Sequence, residues 1–122
     1  MINKAIIEGR LSQAVELRTT PQGKLVTNFR LATERQWTGA DGTPFAATDW
    51  HTVVAWERLA EQCKELREGD MIYVEGRLQT RSWEDREHPD IKHYRTEIIA
   101  STIRPVEVES IVNDETAVAE VV

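Results

Sequence analysis

The chain has a single cysteine, Cys63, which excludes an internal disulfide and a thiolate metal cluster. No apolar run approaches the roughly 20 residues that a spanning helix needs. The opening, Met1-Ile2-Asn3-Lys4, runs straight into strand-like sequence. It lacks the basic, apolar and small-residue succession of a secretory signal, so a cytoplasmic protein is expected. No segment repeats, and further copies of the fold must come by association. Paired histidines at helical spacing and paired carboxylates are missing as well. His51, His88 and His93 with Asp49 and Asp90 read as solvated loop or strand residues rather than metal ligands. No nucleophile is prepared. An enzyme, a metal and a cofactor are therefore not expected.

Positive charge is absent from one region only. All fifteen Lys and Arg lie at or before Arg104, while Glu107, Glu109, Asp114, Glu115 and Glu120 follow with no basic partner. Of the formal net charge of −6, the tail carries −5 and the body before residue 107 only −1. A near-neutral body can still present a basic face if its charges segregate. Overall acidity thus does not exclude a polyanionic ligand.

Strand signals fill most of what is there. Residues 3 to 11 read as a strand in which Gly9 predicts a bulge or sharp bend. Thr20-Pro21-Gln22-Gly23 has the form of a type I turn. Leu25, Thr27, Phe29, Leu31 and Thr33 then alternate with Asn28, Arg30 and Glu34, the period of a half-buried strand. Asp41-Gly42 signals a hairpin, and residues 48 to 56 return from it. Leu59, Cys63 and Leu66 place an apolar stripe on a helix over 57–67, with Gly69 at its end. Residues 71 to 83, bent at Gly76, and 93 to 104 return to strand across a charged loop, Asp85 to Asp90.

Three strands, one helix and two strands is the order of an OB-fold, a five-stranded all-β barrel whose helix lies between strands three and four. At 122 residues the chain has room for one such domain, residues 1–106, followed by a short acidic tail, 107–122, expected to be disordered. Met71-Ile72-Tyr73-Val74 and Ile98-Ile99-Ala100 are apolar on both faces, whereas a barrel interior covers one. Another copy of the same chain would cover the other.

Four tryptophans are many for this length, and indoles are usually buried. Their neighbours here are those of surface residues. Trp37 follows Glu34-Arg35-Gln36, Trp50 lies between Asp49 and His51, and Trp83 is set in Arg81-Ser82-Trp83-Glu84. Trp56 shares a strand face with Trp50 if no bulge intervenes. Rings beside cations suit a single-strand platform, on which bases stack at roughly 1–3 kcal/mol each whatever their identity. Arg35, Arg58, Arg77 and Arg81 are placed to follow the phosphates.

These residues also carry a resemblance. Gly9-Arg10-Leu11, Phe29-Arg30-Leu31-Ala32-Thr33, Thr48-Asp49-Trp50-His51-Thr52-Val53-Val54-Ala55-Trp56, Leu59-Ala60-Glu61 and Tyr73-Val74-Glu75-Gly76-Arg77-Leu78 with Thr80-Arg81-Ser82-Trp83 closely resemble bacterial single-stranded DNA-binding proteins, in family order and spacing over residues 2–106. The resemblance implies base stacking by Trp37, Trp50, Trp56 and Trp83 and phosphate contacts from Arg58 and Arg81. It further implies a nucleoid-associated homotetramer serving DNA replication, recombination and repair. Family members usually end in an acidic run closed by Pro-Phe that recruits partners, whereas this chain ends Ala119-Glu120-Val121-Val122. Recruitment of replication and repair proteins through such a tip is therefore not expected. A primosome-type OB protein, which would not need all four stacking indoles, and a protein-interaction OB module, whose indoles would form a hydrophobic docking face, are the competing readings.

Overall fold

Alternating apolar and polar residues, broken by Gly- and Pro-containing turns, produce a strand-dominated chain in the computed structural model, which describes residues 1–107. The elements are β1 (Ala5–Leu11), β2 (Arg18–Thr19), β3 (Leu25–Thr38), β4 (Pro44–Trp56), α1 (Glu57–Cys63), β5 (Met71–Glu84) and β6 (Lys92–Pro105). The two-residue β2 was not foreseen; it is a short lip paired to β3 through Arg18↔Val26 and Thr19↔Leu25. The five long strands are those expected. The acidic tail falls almost wholly outside the described residues.

Closure of the barrel depends on β1. It pairs antiparallel with β5 from Ala5 to Arg10 and with β3 through Arg10 and Leu11. The circuit β1-β5-β6-β4-β3 then returns to β1 and closes the barrel. The link between β4 and β6 is parallel and short, only Val53↔Ile98 and Val54↔Ile99. Beyond it the β3–β4 and β5–β6 ribbons continue as two long hairpins, ending at Thr38↔Pro44 and Glu84↔Lys92.

Two glycines permit this wrapping, in different ways. Gly9 carries no bulge, because the β1–β5 register runs through it unbroken. A Cβ there would stand 2.8 Å from the Ala32 carbonyl oxygen, so the glycine serves a close crossing of β1 over β3. At Gly76 the expected bend is a register shift against β6, with a would-be Cβ only 2.2 Å from the Ile99 carbonyl oxygen.

Leu11, Phe29, Leu31, Val53, Ala55, Ile72, Val74 and Ile98 fill the interior, and Ala60 and Cys63 of α1 close one end. A side chain of this kind contributes about 1.5–3 kcal/mol when fully buried. The helix is shorter than its apolar stripe predicted, stopping at Cys63. The next residues tighten into three-residue turns, Leu66 N–H donating to the Cys63 carbonyl at 3.0 Å, before Gly69 N–H donates to the Leu11 carbonyl at 2.9 Å and Leu11 N–H to the Asp70 carbonyl at 2.8 Å. The chain is thus tied to the barrel at Gly69 and Asp70. Leu66 still reaches the core. Burial pushes the Cys63 thiol up to about 11, leaving it a small inert core residue. Among the described residues no helix is long and apolar enough to cross a membrane.

Candidate nucleic-acid interface

The β3–β4 register is continuous, so strand alternation fixes which side chains share a face. On the outer face of β4 stand Trp50, Thr52, Val54 and Trp56, beside Asn28 and Arg30 of β3. The parallel link carries this face to Ile99 of β6, and Ile99 lies opposite Arg77 of β5. Along the same ribbon face follow the pairs Arg81↔Arg95 and Trp83↔His93. Two adjoining concavities result. One holds Asn28, Arg30, Trp50 and Arg95; the other holds Asn28, Trp56, Arg81 and Glu97. Asn28 belongs to both, which makes them one groove across the barrel.

All four indoles are half-exposed: Trp37 44%, Trp50 50%, Trp56 41% and Trp83 40%. None is a core residue of the chain. Arg30 lies 5.0 Å from the Trp50 ring, and Arg81 and Arg95 lie 5.2 and 6.0 Å from Trp83. Rings with guanidinium groups at this distance attract them by roughly 0.5–1 kcal/mol at exposed sites. Arg30 and Arg95 were missed as candidates. Arg30 was visible on the polar side of its strand's alternation; Arg95 becomes recognisable only once β6 is in register with β5.

The indole of Trp83 also stacks on His93, with centroids 5.6 Å apart. His93 Nε2 is hydrogen-bonded to Asp85 Oδ1 at 2.8 Å, while Asp85 Oδ2 accepts the backbone N–H groups of Glu87 and His88. The His93 bond first, then those of His88 and Glu87, holds the Asp85 carboxyl below the usual carboxylate range. The charged loop is thereby closed on itself under Trp83.

The arginines chosen from the sequence are not equivalent. Arg81 Nε donates to Glu97 Oε1 at 3.2 Å, and Glu97 is buried to 4% exposure. Arg77 bonds Gln79 at 2.8 Å. Arg58 is exposed at the start of α1 and forms no ion pair with the described residues. Arg35 is paired to Asp49 at 2.9 Å and lies 5.1 Å from the Trp37 ring.

Alternation puts Trp37 and Arg35 on the other face of the β3–β4 ribbon from Trp50 and Trp56. The four indoles therefore do not form one flat platform. Directly across from Trp37 is Phe45, stacked on it with centroids 5.5 Å apart and planes 17° from parallel. His51 points to this same barrel side, where Nε2 shares a 2.8 Å hydrogen bond with Thr33 Oγ1.

A model of the single-strand binding protein family matches residues 2–106 of the chain. The chain belongs to this family. Single-stranded DNA-binding protein 1 of Chlorobaculum tepidum is 41% identical over 104 residues, covering 84% of this chain and 64% of that relative. The chain thus spans less than two thirds of that protein's length. Among solved structures, the Plasmodium falciparum SSB complex with ssDNA superposes with a TM-score of 0.79 at 29% identity, covering 88% of this chain and 96% of that one. A deletion mutant of the single-stranded DNA binding protein from Thermus aquaticus gives a TM-score of 0.76 at 30% identity, covering 87% and 51% respectively. These likenesses agree with the OB-fold barrel read from strand order. Membership of a family of binding proteins also agrees with the expectation of a non-enzyme.

Proposed function

We propose that this chain binds single-stranded DNA with little sequence preference and protects it during replication, recombination and repair. The observation that carries the reading is the groove itself. Trp50, Trp56 and Trp83 are half-exposed along one barrel face, with Arg30, Arg81 and Arg95 among them. Bases stack on indole faces irrespective of identity, and guanidinium groups neutralise the phosphates between them. Trp37 extends the stacking, and Arg35, Arg58 and Arg77 extend the phosphate contacts. The similar Plasmodium falciparum SSB, whose structure is a complex with ssDNA, supports the same ligand class.

Assembly is part of the proposal. Ile6 on β1 and Ile2 just before it are exposed, and Met71 and Tyr73 on β5 are only partly covered, on a face that also carries Glu8, Arg10 and Glu75. Burying these apolar side chains against other copies, as a homotetramer, removes them from water and multiplies the groove. The test is a titration with dT oligonucleotides followed by tryptophan emission, alongside light scattering. Strong quenching with a tetramer mass is expected. Unquenched emission at micromolar protein would overturn DNA binding in favour of a protein-docking module, and a concentration-independent monomer would overturn the assembly.

A further inference from the structure

The end of the β3–β4 ribbon carries two rings that the groove does not use. Phe45 is 47% exposed and Trp37 44%, and they meet solvent together as a stacked pair with planes 17° from parallel. Exposed aromatic pairs at a hairpin end are unusual, because each ring forfeits burial that a core position would supply. The Phe45 ring is also held in place from the hairpin turn. A Cβ on Gly39 would stand 2.9 Å from Phe45 Cε2, so the turn packs against the ring edge. That turn is itself fixed by Gly39 N–H donating to Thr43 at 2.7 Å and by Thr43 N–H donating to Asp41 Oδ1 at 3.0 Å. The two rings are thus preorganised rather than loose.

Their position relative to the groove is set by register. Trp50 lies opposite Ala32 on β3, and Trp37 lies five residues further along the same strand. At about 3.3 Å per residue the two sites are about 17 Å apart along the ribbon, and they occupy opposite faces. Arg35 supplies a cation 5.1 Å from the Trp37 ring, paired to Asp49 at 2.9 Å.

We propose that Phe45 is a nucleobase-stacking residue and that, with Trp37, it forms a second stacking subsite that a single strand reaches by passing over the ribbon edge. The inference rests on the proposed binding of single-stranded DNA, and its occupant is a base of that same strand. A stacked ring pair that a base can extend, with one cation beside it, suits a base followed by a phosphate, and an exposed ring face accepts any of the four bases.

The test uses the full chain and a long oligonucleotide carrying 5-iodouracil at successive positions. Irradiation followed by peptide mapping should place a cross-link at Phe45 as well as at groove residues. Phe45→Leu, which keeps an apolar side chain and removes the ring, should weaken binding of a long dT oligomer about tenfold. Phe45→Trp should restore affinity and deepen the emission quench, since the new indole would itself be covered by a base. Cross-links in the groove but none at Phe45, with Phe45→Leu binding like the parent, would overturn the inference and leave the proposed function standing. Absence of any cross-link and of any quench in the unaltered chain would overturn both. The cross-link is read on the unaltered chain, so a misfolded variant would not obscure the answer.

Discussion

Arg81 and Glu97 allow the fold and the ligand site to be separated in one experiment. Glu97 is buried in the groove and its charge is answered by Arg81, whose own side chain is 49% exposed. Replacing Arg81 by Met keeps the aliphatic stem and leaves a buried carboxylate without its ion partner. Breaking a fully buried pair costs about 3–5 kcal/mol. Here the cation is half in water, and its removal opens a path for solvent to the carboxylate. A loss of about 1–3 kcal/mol is therefore expected, the range for a buried polar group left unsatisfied. Each kcal/mol corresponds to about 4–8 °C in Tm for a domain near this size. Adding Glu97→Gln removes the stranded charge and should return most of the stability, whereas Glu97→Gln alone should change stability by less than about 1 kcal/mol. DNA affinity should behave differently. The salt slope should flatten by about 0.7 in Arg81→Met, the share of one phosphate on a single strand, and the double variant should not recover it. Urea unfolding and fluorescence titrations at several salt concentrations supply both readouts. A double variant as unstable as Arg81→Met, or one that binds like the parent, would refute the reasoning.

Trp50→Ala and Trp83→Ala should each weaken binding to dT oligomers by roughly 1–3 kcal/mol with Tm little changed, because both rings are already half in water; loss of the folded state would return them to the core. Removing residues 107–122, which hold five acidic and no basic side chains, should raise affinity at low salt and lose its effect at high salt, where screening ends the competition with phosphate; equal affinity at all salt concentrations would dismiss tail competition. The Asp85 carboxyl lies below its usual range, so its contribution is present above the unfolded pKa, about 3.9, and is lost as pH falls through the lower folded value. Amide resonances of Glu87 and His88 should accordingly keep their hydrogen-bonded shifts down to about pH 4 and change only below it; a transition near pH 6 would contradict this.

Strand period and turn chemistry made the barrel legible, since Leu25, Phe29 and Leu31 could alternate inward in no other regular structure. The expected helix over 57–67 ran too long because Leu66 continues the apolar stripe, yet the chain tightens into three-residue turns after Cys63. Gly9 was read as a bulge because a sequence does not show which backbone passes beneath a residue. Trp37, Trp50 and Trp83 were found from their polar neighbours and Trp56 from its spacing to Trp50, and all four are half-exposed. Trp37 falls in step with Leu25, Phe29 and Leu31 on β3, the face opposite Trp50 and Trp56, whereas placing Trp83 of β5 on the face of Trp50 needs the register between strands. Register also hid Arg95, opposite Arg81, and the carboxylates that answer Arg35 and Arg81 from across the sheet.

The two-residue seam between β4 and β6 has a mechanical consequence. Past Val53↔Ile98 and Val54↔Ile99, the two hairpins have no ladder between them, and each is a lever anchored at its root in the barrel. The groove spans that split, with Trp50 and Arg30 on one lever and Arg95 on the other. Small rotations at the root therefore widen or narrow the groove at its far end without disturbing the core. A strand lying across it ties the levers together, so occupancy should slow amide exchange along both hairpins more than in the barrel.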